Sequence, residues 1–442
     1  MKGFNKPTFE SVHLSSDRVT SIRINPDKIE SVDILDYQTS PIPWCSNGYY
    51  LYERPMFTFN PLIHAGGFYV QEASSMFLWH ILESLGLATN AKVLDLCAAP
   101  GGKSTLLSTY FKKGVVVCND VIQSRAAILV ENIVKWGNDN TIVTNNDPRQ
   151  FAECREFFDV IVLDAPCSGS GLFRKDNAAI GEWSPESVQH CSLRQQRILQ
   201  DILPCLKQEG ILIYSTCSYS LEENEDNADF IINNDKSIES VQIPCDKEWN
   251  IIETISDETN SFGYRFFPDK VKGEGFFVAV FKKISTEYSA LDSTVKVDKN
   301  TIVSKTEKEV IHSFINVPEQ YEYWKNRDSI LALPSDNIDF IKLIISKLYI
   351  KRVGIELGSI KGKDFIPSHH LAMNSKLSEC YNQKIDVDEE TALKYLRKQE
   401  LNIISLKGWN LIQFKNLPLG WIKGLPNRIN NYYPSEWRII KS

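Results

Sequence analysis

Between residues 91 and 283, five short, unbroken apolar runs alternate with helix-like stretches, and this alternation restricts the fold more than any other feature of the chain. The runs are KVLDLC (92–97), GVVVCN (114–119), NTIVTN (140–145), FDVIVLDA (158–165) and GILIYST (210–216). Each is rich in Val, Ile or Leu without polar alternation, as expected of parallel strands covered on both faces. Segments such as KSTLLSTYF and SRAAILVENIVKW lie between them with helical composition. The series predicts a doubly wound α/β domain. SFGYRFFPD and GEGFFVAVFKK add a predicted antiparallel pair that closes its far edge.

Open α/β sheets bind ligands outside the carboxyl ends of their strands. The first run leads into Cys97-Ala98-Ala99-Pro100-Gly101-Gly102-Lys103 and then a helix. Glycines let a backbone pass close to a ligand, and the helix start offers unpaired N–H groups. The sequence is not G-x-G-x-x-G, so the dinucleotide fingerprint is absent. Asp120 ends the second run, where a carboxylate can hold both hydroxyls of a ribose; Asp147 follows the third run and Asp164 the fourth. One such aspartate is compatible with a turn or a helix cap. Acids at the ends of the first four strands, Asp95 included, around one glycine turn point to a nucleoside-containing cofactor.

Two cysteines also follow strands: Cys167 in Asp164-Ala-Pro-Cys-Ser-Gly, and Cys217 in Ser-Thr-Cys-Ser. A thiolate stabilised by a cation or helix N-terminus is a strong nucleophile. It can add to carbon 6 of a pyrimidine, making carbon 5 able to accept a methyl group, while a nearby acid bonded to the ring nitrogen eases the addition. A second group must then assist loss of the carbon 5 proton and release of the enzyme. Two cysteines beside an aspartate suit that sequence of events, although spacing alone does not say which cysteine attacks. An isolated cysteine is commonly just a small buried residue, and Cys45, Cys118, Cys154, Cys191, Cys205, Cys245 and Cys380 are assigned to that role.

The chain is 442 residues long, enough for about three domains. Ten cysteines with no Cys-x-x-Cys pair make neither a disulfide framework nor a structural zinc site, so reduced thiols in the cytoplasm are expected. The first residues lack the apolar centre of a signal peptide, and no run approaches the length of a membrane span. Net charge is −7, but residues 341–442 hold 17 Lys and Arg against 9 Asp and Glu. That asymmetry permits a polyanion partner and equally a solvated basic surface. Residues 1–62 form a small α/β segment for RNA binding or packing, 63–283 the α/β domain, 284–308 a polar linker, and 309–442 a β-rich module, possibly of two subdomains.

The ordered motifs DLCAAPGGKS, DAPCSGSG and YSTCSYSLEENE, with GGFYVQEASSM, FRKDNAAIGEWSPES and RFFPDKVKGEGFFVAVFKK around them, resemble the RNA (cytosine-5-)-methyltransferases of the RsmF type. RVGIELGSIKGKDFIPSHHLAM and PLGWIKGLPNRINNYYP are similar to their C-terminal RNA-binding module, so the resemblance covers most of the chain. It implies a Rossmann-like class I methyltransferase domain with a PUA-like C-terminal module, and S-adenosylmethionine as cofactor. The turn Cys97–Lys103 would hold the methionine part, Asp120 the ribose, Asp147 the adenine edge, and Asp164 would lie near both cofactor and base. Cys217 would be the nucleophile and Cys167 would assist release. The partner would be RNA, 16S rRNA or the small subunit, with no DNA or membrane, and the enzyme a monomer. Two departures stand out: Pro268-Asp269 where the family often has Pro-His, and Lys135-Trp136 where it carries an arginine.

Arg174 and Lys175, beside the Pro-Cys motif, are expected to meet RNA near the site. Lys423 and Arg428, among Trp409, Trp421, Tyr432 and Tyr433, can track phosphates and stack bases, unless the aromatics fill a small barrel core. His369 and His370 lack partners at ligand spacing and are read as structural. Competing functions are a tRNA methyltransferase, a nicotinamide-dependent oxidoreductase, and a non-catalytic RNA-binding assembly factor on the same scaffold. The missing glycine fingerprint argues against the oxidoreductase, and the paired cysteines against the scaffold.

Overall fold

The computed structural model describes residues 3–15, 17–175, 177–285, 302–315, 319–362 and 364–440. The five apolar runs form strands Lys92–Asp95, Val115–Asn119, Thr141–Thr144, Phe158–Asp164 and Leu206–Thr216. They are all parallel, in spatial order third, second, first, fourth, fifth. The order reverses between the first and fourth strands, which opens a crevice at their carboxyl ends. Phe276–Lys283 pairs antiparallel with the fifth strand, and Phe262–Phe266 pairs antiparallel with it in turn. This is the expected Rossmann-like architecture. Val93, Leu94, Val116, Val117, Ile161 and Val162 are buried on successive residues, hence on both faces of the sheet.

Local signals set the covering helices. Helix Gln123–Trp136 stops at Gly137, whose φ of +89° is a left-handed cap that favours glycine. Helix Pro185–Ile202 starts with Ser184 as cap and proline in its first turn. The helix Gly102–Tyr110 begins directly at the glycine turn.

The far side of the expected linker returns to this sheet. Strand Ile350–Val353 pairs antiparallel with Thr141–Thr144 and extends the edge opposite Ile252–Ile255, the strand that pairs with Phe262–Phe266. Ile341 and Ile344, from helix Ile338–Lys347, pack in one apolar cluster with Leu94, Phe158 and Leu163. Of the linker expected at 284–308, residues 286–301 lie outside the described residues, and helix Lys305–Phe314 already begins before 308.

The N-terminal segment carries helix Lys6–Leu14 and a four-stranded antiparallel sheet that runs to Val70, past the expected limit at residue 62. The C-terminal region holds two four-stranded sheets, one of strands between Tyr321 and Pro367, one between Lys384 and Asn431. Ile22, Leu62 and Phe68 share one core with Tyr395, Leu419 and Ile422, so the two ends of the chain meet. No helix among the described residues is long and apolar enough to cross a membrane.

Candidate active site

A cavity of about 250 Å³ opens at the reversal of strand order. Cys97, Asp120, Ile122, Asp147, Pro148 and Ile198 line it together with Asp164, Cys167 and Cys217. Asp120 is 2% exposed; its Oδ1 accepts the Ile122 N–H at 2.9 Å and its Oδ2 lies 3.4 Å from Arg125. The Asp147 carboxylate accepts the Arg149 N–H at 3.1 Å and caps the short helix Pro148–Glu153 while lining the cavity. The apolar Ile122, Pro148 and Ile198 beside the buried Asp120 carboxylate suit a nucleoside, with a ring to bury and a diol to bind. The glycine turn follows the first strand, and Gly101 there adopts φ of +114°, which a side chain would strain. Ala98 is tied to the second strand by its N–H to the Asn119 carbonyl at 2.8 Å, and the Arg125 guanidinium donates to the Ala99 carbonyl at 2.8 Å.

A second cavity of about 190 Å³ shares the Cys97 and Asp164 walls and is lined by Ala98, Ala99, Pro100, Gly102 and Lys103. The Lys103 Nζ lies 2.8 Å from Asp164 Oδ2, and Ser215 Oγ donates to Asp164 Oδ1 at 2.9 Å. Burial would lower the Lys103 ammonium, but the charges of Asp164, Asp95 and Cys217 outweigh it and raise it above the ordinary lysine value. A fixed carboxylate and a fixed cation therefore face the same space.

Cys167 and Cys217 come together with Sγ atoms 3.1 Å apart. The hydrogen bond between them, and then burial, hold the Cys167 thiol well above the usual thiol range. Glu223 locks the two loops. Its Oε1 accepts the Ser168 N–H at 2.8 Å and Gln195 Nε2 at 3.1 Å, and its Oε2 accepts Ser168 Oγ at 2.6 Å and Ser218 Oγ at 2.5 Å. The Gly171 N–H donates to the Cys217 carbonyl at 2.6 Å. Behind the Thr-Cys loop, Arg265 bonds Glu225 and donates to the Tyr219 carbonyl at 2.8 Å. Sequence reasoning missed Glu223 and Gln195: an acidic SLEENE tail after Cys217 looks like a solvated turn until its partners 28 and 55 positions away are known.

Arg174, expected to meet RNA, turns inward. It is 4% exposed, its guanidinium donating to the Asp17 carbonyl at 2.7 Å and lying 3.4 Å from Glu274. A cationic side chain followed by a second one gave no hint which of the two turns inward; Lys175 is the exposed member. In the C-terminal sheet Arg428 is exposed, and Lys423 stands 5.2 Å above the Trp409 ring. Trp409, Trp421 and Tyr433 are buried and fill the core, which leaves Tyr432, 40% exposed, as the one of the four open to a base. His369 packs between Tyr433 and Trp437, and the described residues hold no cluster of metal-binding side chains. Asp269, in the Pro-Asp departure, accepts Thr8 Oγ1 at 2.6 Å and anchors the N-terminal helix. Lys135, at the other departure, pairs with Glu131.

Three family models match the chain: 16S rRNA methyltransferase RsmB/F over residues 83–282, the methyltransferase RsmF PUA domain over 382–439, and the N-terminal domain of 16S rRNA methyltransferase RsmF over 3–73. A ribosomal RNA small subunit methyltransferase F from Psychromonas ingrahamii is 31% identical over 448 residues, covering 95% of this chain and 90% of that one. Its counterpart from Shewanella piezotolerans is 30% identical, covering 94% and 90%. The chain belongs to the ribosomal RNA small subunit methyltransferase F family. A solved methyltransferase homologue from Pyrococcus horikoshii, 29% identical with a TM-score of 0.55, covers 64% of this family member and 92% of its own chain. The methyl donor of this methyltransferase F family is S-adenosylmethionine, and the buried Asp120, the apolar cleft and the glycine turn fit it.

Proposed function

We propose that the chain methylates carbon 5 of a cytosine in small-subunit ribosomal RNA through a covalent Cys217 adduct. The observation that carries this is the pair of sulfurs 3.1 Å apart beside Asp164, at the ends of two adjacent parallel strands. S-adenosylmethionine, when bound, supplies an electrophilic methyl group. Asp120 and Asp147 would hold its nucleoside and the turn Cys97–Lys103 its amino-acid part. The cytosine is splayed out of its strand to reach the thiols.

The Cys217 sulfur adds to carbon 6, and the pair from the carbon 5–carbon 6 double bond becomes available at carbon 5. The Asp164 carboxyl, positioned by Lys103 and Ser215, acts as the acid that donates a proton to the ring nitrogen while the ring carries that charge. Once carbon 5 carries the methyl group, a base removes its remaining proton, the double bond re-forms, and Cys217 leaves as thiolate. Cys167 assists this release. Its thiol, held well above the usual range by the bond to Cys217 and by burial, keeps its proton beside the departing sulfur. We place this activity in the cytoplasm, in a monomer that acts on RNA and not on DNA.

The test is a denaturing gel of wild type, Cys217→Ala and Cys167→Ala incubated with ribosomal RNA and S-adenosylmethionine. Cys167→Ala should accumulate a covalent protein–RNA band, and Cys217→Ala should give neither band nor methylation. A band from Cys217→Ala with an inert Cys167→Ala would reverse the two roles. Methylation of tRNA in place of ribosomal RNA would move the substrate, and full cellular function after loss of both thiols would favour the assembly-factor alternative.

A further inference from the structure

Arg174, the cation beside the Pro-Cys motif, is bonded to Asp17 and Glu274 inside the fold. The cavity that holds Cys167 and Cys217 has two other arginines on its wall, Arg194 and Arg197. Both are exposed, and they stand three positions apart on helix Pro185–Ile202, so they are neighbours on one face of it. Neither makes a hydrogen bond or an ion pair among the described residues. Asp201, four positions after Arg197, lies in its field, yet Asp201 Oδ2 has no partner among the described residues. The aspartates of the cavity wall are engaged elsewhere: Asp120 with the Ile122 N–H and Arg125, Asp147 with the Arg149 N–H, Asp164 with Lys103 and Ser215.

The helix that carries the two cations is fixed to the catalytic loop. Between them the buried Gln195 donates from Nε2 to the Pro166 carbonyl at 3.0 Å, one residue before Cys167. The buried Ile198, next to Arg197, is part of the cavity wall. Two like charges one turn apart repel, and an anion bound by both relieves that repulsion.

The kind of anion follows from what shares the cavity. The cofactor would place its nucleoside here, and that nucleoside bears no phosphate; its carboxylate belongs to the amino-acid part, beside the Cys97–Lys103 turn. The other occupant is the strand that brings the cytosine to Cys217, with a phosphate on each side of that nucleotide. Guanidinium groups suit phosphate, which they can grip through two parallel hydrogen bonds.

We infer that Arg194 and Arg197 hold one backbone phosphate of the RNA next to the target cytosine, and so set how far that nucleotide enters the cleft. The inference rests on the proposed methylation of RNA.

The full-length protein is titrated with a small-subunit ribosomal RNA transcript at increasing salt, and binding is read by filter retention. The double variant Arg194→Gln/Arg197→Gln should bind about tenfold more weakly and lower the slope of log affinity against log salt by about one, the share of one phosphate. Its S-adenosylmethionine affinity, measured by calorimetry, should equal that of wild type. Arg194→Lys/Arg197→Lys keeps both charges and should keep most of the slope. Phosphate ethylation then locates the contact: wild type should reject RNA ethylated beside the methylated cytosine, and the glutamine variant should accept it. An unchanged slope, the same rejection by both proteins, or a loss confined to cofactor affinity overturns the phosphate site. The methylated carbon is read separately by mass spectrometry. A methyl group away from carbon 5 with the slope change retained overturns the proposed chemistry alone, and methylation at carbon 5 with an unchanged slope overturns the phosphate site alone.

Discussion

At the scale of single residues, the two cysteines were legible because each follows a buried strand, and parallel neighbours bring such ends together. What the sequence could not display is the lock between them. A Cβ on Gly171 would stand 2.4 Å from the Cys217 carbonyl oxygen, so Gly171→Ala must push the Pro-Cys loop away from the Thr-Cys loop. We expect at least a tenfold loss in kcat with S-adenosylmethionine binding intact, measured by steady-state kinetics and calorimetry. Glu223→Ala strands the Ser168 N–H and two hydroxyls, and should lower stability by about 2 kcal/mol in a urea titration. Asp95 gives a pH prediction. Burial raises its carboxyl to about 7, and its Oδ1 has no partner among the described residues. As pH climbs from about 4 to about 7 the unfolded chain loses this proton while the folded chain keeps it, so stability falls over that window. Asp95→Asn should flatten the fall in melting temperature between pH 5 and pH 8. An unchanged pH slope would sink the assignment.

Among elements, the five parallel strands were readable from composition because burial on both faces removes polar alternation. Strand Ile350–Val353 was not. Its sequence IKRV is short and half cationic, and its partner strand lies some 200 positions earlier. Arg352 shows why a charge is tolerated there: the guanidinium is buried, donating to Thr141 Oγ1 at 2.6 Å and to the Thr141 carbonyl at 3.1 Å. Burial lowers it to about 10, still charged at neutral pH. Arg352→Ala should cost about 2–3 kcal/mol, read by chemical denaturation, and should raise hydrogen exchange in Thr141–Thr144 before other strands. Trp409 and Trp421 teach the same lesson in reverse, since aromatics interleaved with cations suggested a stacking surface and two of them instead build the sheet's core.

For the whole molecule, composition suggested beads on a string, but the described residues form layers that share cores across the expected boundaries. Leu331, Leu333 and Ile338 lie in the methyltransferase core cluster. A fragment ending at residue 283 should therefore expose that surface, bind a hydrophobic dye and melt well below the full chain in calorimetry. Such long-range sharing leaves no local trace, because each segment carries an ordinary amphipathic pattern whichever partner covers it.

The core common to Ile22 and Leu419 also bears on how the protein comes into being. Ribosomes add about 5–20 residues per second, so the first strands leave the exit tunnel roughly 20–80 s before the segment that covers them. During that interval the newborn chain presents an open apolar face and depends on chaperone shelter or on interim contacts of its own. A member of this methyltransferase family thus closes its own architecture only after its C-terminal sheet has been made.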